Sequence, residues 1–276
     1  MTCTIFYSWQ SDTPSSCNRT FIRNAIDVAI AGLPQTAEVS ESPRVESGME
    51  GVAGTPEVAT VMFDKIRKSA VFIGDVTLVG SVESADERCE KRLPNPNVLL
   101  ETGFAAGTMG WGRIICVMNE HFGRSQDQPF DLRNRRFPIR YSSDPGHPEG
   151  RGETKAELAK CVQLAIKTVM ASRLAAAQEA VASLDINCLN LMHAHAANDR
   201  FAAPDPRATV IGGALDTARF NSAVVRLLDL RLLKAEVDPA GKLYAYHWTY
   251  LGKESLIILG IREPTQAPPA SSGETS

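Results

Sequence analysis

The sequence predicts an α/β protein: a parallel sheet with helices on both faces, followed by a small α+β unit. Three observations carry this expectation. The runs at 4–9, 70–76 and 113–119 are nearly continuous stretches of apolar, β-branched and aromatic residues, as strands buried on both faces are. Stretches of helical period separate them, the pattern of a crossover-connected parallel sheet. Beyond residue 185 the order changes to helices followed by two short strands around a turn.

Element by element, Thr4–Trp9 reads as the first strand, ended by the turn-forming Gln10-Ser11-Asp12-Thr13-Pro14. Residues 18–33 space Phe21, Ile22, Ala25, Ile26, Ala29 and Ile30 on one helical face. A weak strand is expected near 37–40. A long polar loop then carries Gly48, Gly51 and Gly54 and closes at Thr55-Pro56, with Thr55 as cap and Pro56 as first residue of a helix ending near Lys68. Ala70–Val76 is a buried strand, and Gly80–Arg92 a charged, exposed loop. Asn95 and Pro96 then start another helix as cap and first residue. Arg113–Asn119 and Phe137–Tyr141 supply the last two strands of this part.

From Gly152 to about Asp185 runs a long amphipathic helix striped by Leu158, Val162, Ala165, Ile166 and Val169; its first part closes the sheet domain and its alanine-rich second part connects. A strong helix follows at 218–233, then a strand at 235–237, a turn at 238–241 and a strand at 242–250. Helices followed by a two-stranded wing suggest a winged helix. The expected organisation is a sheet domain at 1–150, a closing and connecting helix at 151–184, a winged-helix-like domain at 185–263 and a disordered tail at 264–276, rich in proline, serine and alanine.

Composition narrows the function classes. With 276 residues, 43% hydrophobic and 22% charged, the chain is an ordinary globular sequence, and its net charge of −3 offers no basic field for nucleic acid. No apolar run reaches the ~20 residues that span a bilayer, and the first residues lack a signal-peptide pattern. The six cysteines are scattered without a Cys-x-x-Cys pair, which favours reduced thiols in the cytoplasm over a disulfide framework or zinc site. No Walker A, His-Glu-x-x-His or Gly-x-Ser-x-Gly occurs, and the three loop glycines lack dinucleotide-fingerprint spacing. His193 and His195 diverge on a helix, so a metal role is not expected. Arg133, Arg135 and Arg136 read as a solvated loop face. The helix at 218–233 offers Arg219, Arg226 and Arg231 against Asp216 and Asp229, so the second unit reads as a sensing or dimerisation module rather than a DNA binder.

The segment Pro94-Asn95-Pro96-Asn97-Val98-Leu99-Leu100-Glu101-Thr102-Gly103 is the most informative. It places one carboxylate on the apolar, small-residue start of a helix, with Asn97 one turn earlier on the same face. Burying that carboxylate is costly unless it has a partner or a task. Gly103 and Gly107 leave room for another backbone or a ligand on the neighbouring face. In a parallel sheet ligands bind at the carboxyl ends of the strands. Ser8, Trp9, Asp75, Asn97 and Glu101 all point to that edge. The competing structural readings are a salt bridge from Glu101 to Arg92 or Arg113, Asp75 as a cap for the loop after its strand, and Trp9 as a core residue.

Together Phe6-Tyr7-Ser8-Trp9-Gln10-Ser11-Asp12, the glycine loop ending in Gly54-Thr55-Pro56-Glu57, Phe72-Ile73-Gly74-Asp75-Val76-Thr77, the Glu101 segment and Pro129-Phe130-Asp131-Leu132-Arg133 resemble a bacterial TIR-like family over about residues 1–145. The resemblance implies a flavodoxin-like, TIR-type fold and cleavage of NAD to nicotinamide and a linear or cyclic ADP-ribose, often in anti-phage defence. It implies that Glu101 is the catalytic glutamate, that NAD is a substrate rather than a cofactor, and that the domain self-associates, with residues 48–54 as lid or assembly surface. An activating ligand or protein is expected.

The chemistry agrees. Ordinary glycosidases need two carboxylates, one to protonate the leaving oxygen. Nicotinamide leaves a cationic pyridinium as a neutral molecule, so one carboxylate that binds ribose hydroxyls and stabilises an oxocarbenium-like transition state suffices. Trp9 is placed to stack on a planar ring, and Ser8 and Asn97 to bond sugar or amide groups; Asp75 completes the expected binding set. Two alternatives stay open: a nucleoside deoxyribosyltransferase-like enzyme, and a non-catalytic assembly module.

Overall fold

The computed structural model describes residues 4–33, 43–48, 57–83, 90–133, 138–202 and 217–263. The chain divides into two units, residues 2–170 and 171–276. In chain order the first holds β1 (Thr4–Ser8), α1 (Arg19–Ala31), β2 (Arg44–Glu46), α2 (Val58–Lys68), β3 (Val71–Asp75), β4 (Leu78–Glu83), β5 (Glu90–Pro94) and α3 (Pro96–Met109). It continues with β6 (Ile114–Asn119), the single turn α4 (Phe130–Arg133), β7 (Ile139–Tyr141) and the first part of α5 (Arg151–Ala182).

Five strands form a parallel sheet in the order β2-β1-β3-β6-β7. Without the inserted β4–β5 pair this is a 2-1-3-4-5 order, consistent with a flavodoxin-like core. The period-two alternation of β1 sends neighbouring aromatics to opposite faces. Phe6 packs with Phe72, Ile66 of α2 and Ala105 of α3, while the Tyr7 hydroxyl reaches the Arg19 carbonyl of α1. Phe63 of α2 stacks on Phe104 of α3 with centroids 4.2 Å apart, and Phe21 of α1 stacks on Tyr141 at 5.2 Å. Ile5, Phe6, Ile22, Ile26, Phe72 and Ile73 are fully buried. Each contributes about 1.5–3 kcal/mol by leaving water, which is why helices are needed on both faces.

Several elements differ from the sequence reading. The edge strand is β2 at 44–46, in the polar stretch; the strand expected at 37–40, the Thr55-Pro56 helix start, Gly51 and Gly54 lie outside the described residues. The described α2 starts at Val58 behind Glu57, without a side-chain cap. The expected loop at 80–92 contains an antiparallel pair, β4 with β5, anchored by buried Leu78 against Val76, Val98 and Met118. Its charges hid the strand pattern. Gly103 and Gly107 are exposed, and among the described residues a Cβ at either would meet nothing within 4 Å. The close approach is at Gly74, where a Cβ would meet the Phe72 ring at 3.0 Å and Thr102 Oγ1 at 3.3 Å. Arg135, Arg136, Phe137 and the tail at 264–276 lie outside the described residues.

The second unit holds the end of α5, then α6 (Ile186–His195), β8 (Arg200–Ala202), α7 (Thr217–Asp229), β9 (Leu233–Val237), β10 (Leu243–Trp248) and α8 (Tyr250–Ile258). The two strands expected around the turn pair as β9 with β10, and among the described residues β8 adds a third, in the antiparallel order β8-β10-β9. Leu191, Met192, Leu227, Leu232, Trp248 and Leu256 centre its core. The helix expected to run to Leu233 stops at Asp229 in a Schellman turn: the Leu232 N–H bonds the Leu227 carbonyl, the Arg231 N–H bonds that of Leu228, and Arg231 adopts φ 57°. An arginine occupies the left-handed position usually held by glycine, so the stop signal was missing from the sequence. Among the described residues no helix is long and apolar enough to cross a membrane.

Candidate active site

The sheet's carboxyl edge is assembled by register. Ser8 pairs with Gly74, Asp75 with Val117 and Asn119 with Tyr141, so the ends of β1, β3, β6 and β7 lie side by side. A buried polar network fixes them. The Asp75 carboxylate accepts from Asn18 Nδ2 at 3.1 Å, Thr77 N at 3.1 Å, Thr77 Oγ1 at 2.5 Å and Gln10 Nε2 at 3.3 Å. Asn119 Nδ2 donates to Asn18 Oδ1 and the Ser143 carbonyl, both at 3.0 Å, and its Oδ1 accepts from the Ser143 N–H. Tyr141 donates its hydroxyl to the Cys17 carbonyl at 2.8 Å. Burial pushes the Asp75 pKa above the usual carboxylate value against the pull of the Thr77, Asn18 and Gln10 bonds. Asp75 is fully buried, so its oxygens serve the chain's own donors.

In front of this network lies the start of α3. Pro96 takes the first helical position, and Asn95 caps the helix, its Oδ1 accepting from the N–H groups of Asn97 at 2.8 Å and Val98 at 3.2 Å. Val98, Thr102 and Ala105 face inward, which leaves Glu101 half-buried beside β1. Burial raises the Glu101 pKa, and the Ser8 hydroxyl close to it opposes the rise. The two groups do not complete a well-aligned bond: Ser8 is 1% exposed, and among the described residues its buried Oγ has no hydrogen-bond partner. An orphaned hydroxyl beside a raised carboxylate is costly for stability alone.

The salt-bridge alternatives for Glu101 are not what holds it. Arg92 donates to the Phe122 carbonyl at 2.9 Å, and Arg113 donates to the backbone carbonyls of Ala70, at 3.0 Å, and Ser69. Among the described residues no cation is paired with Glu101.

The other expected residues are distributed unevenly. Trp9 is half-buried just past β1, and the Arg19 guanidinium carbon lies 3.5 Å from its ring centroid, a cation–π contact that covers one face. Asn97 is exposed, one turn before Glu101. Ser8 and Glu101 are brought together, Trp9 adjoins Ser8, and Asp75 stands behind them as a support. The sequence reading missed Gln10, Asn18, Asn119 and Arg19. Their signal was weak but present: polar residues set at the ends of apolar strands, on the edge where a parallel sheet concentrates its polar chemistry. Among the described residues no group of three His, Cys, Asp or Glu side chains could hold a metal ion.

This arrangement can hold a negative charge in a partly desolvated place, beside a serine hydroxyl. No protein-family model matches the chain, and no curated protein matches it.

Proposed function

We propose that the first unit is a TIR-type module that hydrolyses the nicotinamide–ribose bond of NAD, with Glu101 as the catalytic residue. The observation that carries this reading is the Glu101 carboxylate itself: half-buried, raised in pKa, unpaired with any described cation, and set beside the orphaned Ser8 hydroxyl at the sheet's carboxyl edge. Such a carboxylate suits the stabilisation of positive charge developing at C1′. As the C1′–N bond breaks, its electron pair neutralises the pyridinium and nicotinamide leaves uncharged. Water then adds at C1′ and releases its proton to solvent. Ser8 and Asn97 bond the sugar or amide groups, Trp9 stacks on a ring through the face Arg19 leaves open, and Asp75 holds the strand ends. On this reading the chain acts in the cytoplasm in anti-phage or stress defence and self-associates through the first unit. The second unit is a winged-helix-like sensor for an activating ligand or protein.

The test offers the concentrated purified chain NAD and a deoxynucleoside in parallel and follows both by chromatography. Release of nicotinamide with the deoxynucleoside intact is expected. Release of free base with NAD intact would overturn the proposal in favour of a deoxyribosyltransferase-like activity.

A further inference from the structure

The loop after β1 and the start of α3 carry opposite walls of the candidate site, and one side-chain bond ties them: Asn95 Nδ2 donates to Asp12 Oδ2 at 2.6 Å. Each end of this bond is itself fixed. Asn95 uses its other amide atom, Oδ1, to cap α3 through the N–H groups of Asn97 and Val98, so the side chain cannot turn without releasing the helix. Asp12 belongs to a loop wrapped around Gln10, whose Oε1 accepts from the N–H groups of Asp12 at 2.6 Å and Thr13 at 3.0 Å. The same Gln10 donates through Nε2 to Thr13 Oγ1 at 2.6 Å and to buried Asp75 at 3.3 Å. A continuous hydrogen-bonded path thus runs from Asp75 through Gln10 and Asp12 to Asn95 and the first turn of α3, one turn ahead of Glu101.

We propose that the Asp12–Asn95 bond is a clasp that sets the Ser8–Trp9 wall against Glu101, making Asn95 a positioning residue for the reaction proposed above, on which its kinetic consequence rests. The bond is solvent-exposed, and an exposed charged contact adds little to stability. Buried Val98, Thr102 and Ala105 hold α3 in place without it. Its effect therefore lies in alignment, where a misplacement on the order of 1 Å can cost about 10²-fold in rate.

The test exploits the two roles of Asn95. Asn95→Asp keeps the cap but sets a carboxylate against that of Asp12. The double variant D12N/N95D restores the bond with donor and acceptor exchanged. Expected for Asn95→Asp is a fall in kcat of about tenfold or more, larger than any change in KM, with a wild-type melting temperature. The double variant should recover to within about threefold of wild type, since it again holds the wall and helix together. The indole N–H resonance of Trp9, assigned with Trp9→Phe, should move in the single variant and return in the double. An unchanged kcat in Asn95→Asp, or a folded double variant that stays slow, would overturn the proposal. If the wild type leaves NAD intact, the rates carry no reading of the clasp. The Trp9 resonance then decides the clasp, and a signal unmoved by Asn95→Asp sinks it.

Discussion

Asp75→Asn tests whether the network behind the site is closed. An amide in place of the carboxylate must aim its NH2 at one of two sets of donors. On the Oδ1 side these are Thr77 N and Thr77 Oγ1; on the Oδ2 side, Asn18 Nδ2 and Gln10 Nε2. Neither set can readily reverse. Thr77 Oγ1 already accepts from Asn18 Nδ2 at 2.9 Å and Asn119 N at 3.0 Å, so its own hydrogen must go to Asp75. Asn18 Oδ1 is held by Asn119 Nδ2, and Gln10 Oε1 by two backbone N–H groups. About two donors lose their acceptor, at roughly 1–3 kcal/mol each. Removing a buried charge returns part of that, which leaves a net loss of about 2 kcal/mol. In a unit of this size the melting temperature should fall by roughly 4–8 °C, read by calorimetry or fluorescence. A variant that melts within about 2 °C of wild type would show that the donors find other partners, and the reasoning would fail.

Three further outcomes follow from the same geometry. Because burial raises the Glu101 pKa in the folded chain, the ionised carboxylate disfavours folding above its ordinary pKa, and the cost disappears once both states are protonated. Glu101→Gln should therefore melt at or above wild type at neutral pH, with the gap closing on acidification; a lower neutral melting temperature would mark Glu101 as a structural partner. Ser8→Ala removes the group that opposes the rise, so the acid limb of NAD turnover should shift to higher pH, and an unmoved limb contradicts the contact. Gly252→Ala places a Cβ 2.1 Å from the Leu232 carbonyl oxygen, so amide exchange should rise across α8 and β9 while the first unit stays protected; unchanged exchange would contradict the packing.

Long apolar runs were legible because burial on both faces leaves a one-dimensional signature, from which β1, β3 and β6 follow, and the inward face of α1 was legible from its helical period. The Asn95-Pro96 start of α3 was legible because capping is local chemistry. The β4–β5 pair was not, since its charged residues mask period-two alternation in the sequence, and the end of α7 was not, since Arg231 takes a conformation its residue type does not advertise. At the site, the sequence could mark Ser8 and Glu101 as neighbours of one edge. It could not show that Asp75 is enclosed by Gln10, Asn18 and Thr77, nor that Asn95 reaches across to Asp12. Those contacts join residues far apart in the chain, and only the strand register brings them together.

The central claim is that Glu101 cleaves NAD, and the most direct measurement is the rate of nicotinamide release by the wild-type chain beside Glu101→Gln at equal high protein concentration. Loss of one group that stabilises transition-state charge costs about 10²–10³-fold. Nicotinamide should therefore accumulate with the wild type and fall by roughly that factor in the variant. Equal release by both proteins would move the chemistry off Glu101 and contradict the account, whereas silence from both would turn the search to the activating ligand.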